Sequence, residues 1–146
     1  MITPSAIFNP ANTNQGTKAQ FSLTLGNNSL TPVTGMTINN TALPAGLILS
    51  PTPVVSNTCG GTPTAVPLAG SFGLTGGNIP ALAAGVDGEC TIVLEVIAKS
   101  GGNQVVTIAP NSIAGGGATN TQGSTATLAV NGLAKMGTDG DVLGQR

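Results

Sequence analysis

Alternation constrains the fold before composition does. In Lys18–Asn27, KAQFSLTLGN, Ala19, Phe21, Leu23 and Leu25 alternate with Lys18, Gln20, Ser22 and Thr24. A period of two sends successive side chains to opposite faces of an extended chain, so this segment is predicted to be a strand with one buried face. CTIVLEV repeats the pattern, with Cys90, Ile92, Leu94 and Val96 on one face and Thr91, Val93 and Glu95 on the other. Shorter strands are expected at 33–38, 46–49, 71–74, 104–108 and 124–130, separated by turn-forming clusters such as GNNS, CGGTP and AGGGATN. No stretch keeps a helical period, and PALAAG has room for one helical turn at most.

Seven or more short strands with turn signals between them predict an all-β domain, an immunoglobulin-like antiparallel β-sandwich. Its core must be built without tryptophan or tyrosine, from aliphatic residues and the three Phe. Residues 1–130 read as one domain and 131–146 as a tail or linker, an inter-subunit connector if the protein assembles. The start MITPSAIFNP has neither the basic residues nor the apolar run of a leader, so a secreted form would have lost its signal or be a piece of a longer chain.

Composition then removes whole classes of function. Charged residues are 6% of the chain, against about a quarter in ordinary globular proteins. Four Lys and Arg scattered along 146 residues cannot displace phosphate counterions, so nucleic acid is not an expected partner. No apolar run approaches the roughly 18 residues of a membrane helix, and no aromatic girdle exists for a membrane barrel, so membrane insertion is not expected either. With 40% hydrophobic residues there is still enough apolar surface to offset the entropy of ordering.

Two cysteines remain to be explained. Cys90 shares the inward face of its strand with Ile92 and Leu94, while Cys59 sits in a glycine-rich turn, NTCGG. A disulfide between them would close a loop of about 30 residues and stabilise the fold by about 3–4 kcal/mol through loop entropy, and would place the protein in an oxidising compartment. Two buried free thiols acting as small hydrophobes are the alternative. Metal ligation would need more Cys or His than the chain contains. The expectation taken forward is the disulfide Cys59–Cys90.

The ordered series FNPANTNQGTKAQFSLTLGN, LTPVTGMTINNTALPAGL, NTCGG and LTGGNIPALAAGVDGECTIVLEV resembles bacterial surface-protein immunoglobulin-like repeats, a domain of unknown function with paired cysteines and an L-P-A-G stretch. The resemblance runs from about Phe8 to Val130. It implies a β-sandwich of secreted or outer-surface proteins, often in tandem, and carries no enzymatic activity. Asn39 and Asn40 stand where that family often has an acidic residue, and PALAAGVDGEC is longer than its counterpart; both departures fall in connections.

No catalytic residues and no cofactor are expected. The chain has no histidine to act as a general base, and its carboxylates, Asp87, Glu89, Glu95, Asp139 and Asp141, do not pair on any face. Asp139 and Asp141 in GTDGDVLG supply half of an oxygen-ligand loop for calcium, without the later acidic residue that completes one. Lys18 and Glu95 are tempting for an internal isopeptide bond, but alternation sends both outward. A sugar ligand would need an exposed aromatic, and only Phe8, Phe21 and Phe72 are available. What remains is a nearly uncharged surface with strand edges, the kind that pairs with another chain. The expected partners are copies of the chain or neighbouring repeats in a surface fibre; a host or sugar ligand belongs to the alternative, a tandem adhesin module.

Overall fold

The computed structural model describes residues 1–132; Asp139, Asp141 and the rest of the tail lie outside the described residues. The described chain forms twelve strands: β1 Ile2–Asn9, β2 Asn12–Asn14, β3 Lys18–Asn27, β4 Val33–Ala42, β5 Leu47–Asn57, β6 Thr62–Thr64, β7 Ser71–Ile79, β8 Gly88–Ala98, β9 Gly102–Ile108, β10 Ile113–Gly115, β11 Ala118–Thr119 and β12 Ser124–Asn131. The last strand therefore carries one residue past the expected domain boundary at 130.

Three hydrogen-bonded sheets result, in the orders β1-β3-β8-β5, β11-β10-β4-β7-β6 and β2-β12-β9. The alternation of β3 and β8 places them at the centre of the first sheet, paired without a shift from Lys18 opposite Ile97 to Asn27 opposite Gly88. Phe21, Leu23, Leu25, Ile92, Leu94 and Val96 point inward from them and are buried. Phe72 and Leu74 of β7, with Met36 and Ile38 of β4, meet them from the second sheet. The third sheet closes the side of the sandwich with Val106, Ile108, Ala126, Leu128 and Val130. There β1 lies beside β12, and the Ala6 amide donates to Ser124 Oγ at 3.0 Å.

Pairing is antiparallel except between β12 and β2, which run parallel from Ala129 opposite Asn12 to Asn131 opposite Asn14. The one-turn helix allowed for PALAAG is absent: Ala83 and Val86 form a β-bridge around a tight turn, where Ala84 and Gly85 have φ of 52° and 77°.

Two buried asparagines hold the loops. Asn27 Nδ2 donates to the Thr31 and Pro80 carbonyls, and its Oδ1 accepts from the Ser29 amide. Asn120 Nδ2 donates to the Ala109 and Gln122 carbonyls at 2.8 and 2.9 Å, and its Oδ1 accepts from the Ile113 amide at 2.9 Å. Both residues are fully buried and fully satisfied. Asn120→Ala takes the side-chain partner from the Ile113 amide and the Gln122 carbonyl, while the Ala109 carbonyl keeps Ser112 Oγ, and is expected to cost about 2–3 kcal/mol in urea unfolding. A change below about 0.5 kcal/mol would show that the 109–122 loop is held by something else.

Candidate functional site

The disulfide is the most constructed feature of the described chain. Cys59 and Cys90 are joined, with Sγ–Sγ 2.03 Å and a sequence separation of 31. The bridge ties the turn after β5 to the start of β8. Asn57 shapes that turn: its Oδ1 accepts from the Cys59 amide and its Nδ2 donates to the Gly60 carbonyl, both at 3.0 Å. Gly60 and Gly61 both have φ of 74°, in the left-handed region that glycine alone adopts freely. At Gly61 a Cβ would also lie 2.3 Å from the Thr75 carbonyl oxygen. The Cys59 carbonyl in turn accepts from Asn78 of β7 at 2.8 Å. The turn thus joins a disulfide to the first sheet with a hydrogen bond to the second. This is a structural staple with no exposed thiol.

The remaining candidates are dispersed. Lys18 Nζ and Glu95 Oε1 form an ion pair of 3.6 Å on the outer face. Both side chains are solvent-accessible, at 54% and 21%, so the buried environment that an isopeptide bond requires is lacking. Asp87 and Glu89 lie exposed near the start of β8. Among the described residues no three Cys, Asp or Glu side chains group where they could hold a metal. The calcium candidates Asp139 and Asp141 lie outside the described residues. The aromatic route to a sugar site is closed: Phe8, Phe21 and Phe72 are all buried and are the chain's only aromatics.

Two surface features escaped the sequence. At one end of the sandwich, the β3–β4 and β7–β8 loops are joined by a hydrogen bond from the Leu82 amide to the Ser29 carbonyl. They expose Leu30 and Val86 at 80% and 69%. On the side, a cleft of about 430 Å³ separates β4 and the segment after it from β9 and its following loop, and contains no charged residue. Its lining mixes the neutral polar Asn40, Thr41, Thr107 and Ser112 with Ala, Val, Leu and Pro side chains.

A family model matches residues 3–130 along almost the whole described sandwich. The chain belongs to DUF7933, a domain of unknown function. No protein of curated function matches it in sequence. Solved structures share the fold at low identity. A cohesin module of a family 33 glycoside hydrolase from Clostridium perfringens aligns with TM-score 0.56 and 12% identity, over 89% of this chain and 95% of that one. The non-cellulosomal cohesin of Archaeoglobus fulgidus gives 0.54 and 10%, over 88% and 90%. The major pilin subunit of Bacillus cereus gives 0.50 and 9%, over 90% of this chain but 40% of the longer pilin. These likenesses establish the immunoglobulin-like β-sandwich.

Proposed function

We propose that this DUF7933 chain is a non-enzymatic extracellular module, a building block of a bacterial surface fibre whose copies associate through strand edges. One observation carries the reading: a disulfide-tied sandwich whose edge strands carry no charged residue, with β9 also free of proline and register breaks, gathers no set of reactive groups among its described residues. A disulfide belongs in an oxidising compartment, and low charge favours association over dispersal. That cohesin modules and a pilin subunit use the same sandwich supports a surface or binding module at the coarser level. In this reading residues 1–130 are the domain, β12 closes it, and the remaining chain is a connector.

The second reading is one module of a tandem adhesin. The exposed pair Leu30 and Val86, presented by two hydrogen-bonded loops, favours it, since loop ends are where sandwiches bind ligands. Negative-stain electron microscopy of the non-reduced protein separates the two. A fibre subunit gives filaments that persist in about 1 M NaCl, where the Debye length shrinks to about 3 Å, because backbone pairing and apolar contact hold it. Filaments that dissolve in salt would overturn edge pairing, and monomers throughout would favour the adhesin module.

A further inference from the structure

Nearly every free strand edge in this fold is guarded. Natural sheets blunt exposed edges with proline, charge, bulges or short strands, because an open edge invites pairing. At its outer edge β5 carries Pro51 and Pro53, and its register on β8 breaks between Leu49 and Val54. β1 contains Pro4, and its Ala6 amide is taken by Ser124. β2 and β6 have three residues each and β11 has two.

β9 has none of these guards. Its seven residues, GNQVVTI, lack proline and charge, and they pair with β12 in an unbroken register from Gly102 to Ile108. Among the described residues no backbone hydrogen bond reaches its other edge. That edge faces the end of β4 across the uncharged cleft. There the Asn39 amide donates to the Ser112 carbonyl, and beyond it Thr41 and Ala42 pair only with β7 on their far side. Two strand edges therefore confront each other without a strand between them. At β-sheet spacings, about 430 Å³ holds about three residues of extended chain.

We propose that the cleft between β4 and β9 is a strand-acceptor site for an extended, uncharged segment of a second copy of this chain. The proposal rests on the self-association reading above and names the edge that performs it. Charge argues for a copy as the occupant. The charged side chains among the described residues, Lys18, Asp87, Glu89, Glu95 and Lys99, all lie away from the cleft. With a net charge of −1, copies approach one another almost without repulsion. The inserted strand would satisfy backbone groups on both sides, and its side chains would alternate between the buried Val106 and Ile108 and the exposed Val105 and Thr107.

Amide hydrogen exchange of the full chain, measured from dilute to concentrated solution, tests this together with Val105→Lys. Val105 is 44% exposed, so a lysine there leaves the core intact, and an unchanged melting temperature verifies it; Thr107→Lys, also exposed, is the second variant. Ile7→Lys, at a 57% exposed position on β1, is the control. The expected result is that amides of β9 and of residues 40–42 slow with concentration, and that Val105→Lys and Thr107→Lys weaken association at least about tenfold while Ile7→Lys does not. If copies associate without protecting these amides and both variants associate normally, the acceptor site is wrong while edge-mediated assembly stands. If the unmodified chain stays monomeric at every concentration, both fall.

Discussion

Replacing Cys59 and Cys90 together with alanine is expected to lower stability by about 3–4 kcal/mol, the loop-entropy value for a closure of this size. The melting temperature should fall by on the order of 10–15 °C for a domain of this length. Alanine is the informative substitution, because serine at sites only 1% and 3% exposed would add an unpartnered hydroxyl. The loss should also have a location. Asn57 and the glycines shape the 57–61 turn, Thr58 hydrogen-bonds to the Thr91 backbone of β8, and the Cys59 carbonyl accepts from Asn78 of β7; the bridge is the turn's one covalent tie to β8. Without the bridge, exchange should quicken first at 57–61 and at Asn78, before the centre of β3 and β8. Melting within a degree or two of the oxidised protein would mean that packing already fixes this turn.

The parts of the fold legible in the sequence are those where hydropathy and facing agree. β3 and the inward row of β8 are such places, because each inward residue is apolar and most outward ones polar. β1 hides for the opposite reason. Its buried face is Ile2, Pro4, Ala6 and Phe8, while the apolar Ile7 faces out at 57% exposure, so the alternation is real but masked. In β9 the adjacent Val105 and Val106 leave the facing undetermined, and the structure buries the polar Gln104, capped by the Ser100 and Gly101 carbonyls. Pro51 and Pro53 read as breakers, yet β5 carries them on an outer edge where a missing amide costs no ladder bond. Strands of two or three residues have too few positions for a period.

The candidate site divides in the same way. Cys59 and Cys90 are visible because their residue type is rare in this chain. The cleft between β4 and β9 is not, since Thr41 and Thr107 become neighbours only through the order of strands, which no local pattern encodes. The parallel pairing of β2 with β12 is illegible on the same ground.

The aromatic row predicts the largest single-residue effect. All three phenylalanines meet in the core: Phe8 and Phe21 lie opposite each other on β1 and β3 with ring centroids 5.3 Å apart, and Phe21 reaches Phe72 of β7 at 5.5 Å. Phe21, with 0% exposure, therefore couples two strands within one sheet and bridges that sheet to the next. In a sandwich with no tryptophan or tyrosine, nothing else of that volume is available to span the layers. Phe21→Ala should cost about 4–5 kcal/mol, the upper part of the range for deleting a buried ring, because both neighbouring rings lose a tilted partner as well as packing area. Phe8→Ala, at the end of the row with 7% exposure, should cost less, about 3 kcal/mol. A double substitution of Phe21 and Phe72 should cost less than the sum of the single changes, since each removes the same contact. Urea unfolding with an unchanged slope checks all three. Additive losses would mean that each ring packs against aliphatic neighbours alone, and the sheets would then be held together by the leucine and isoleucine layers of β3, β8 and β7.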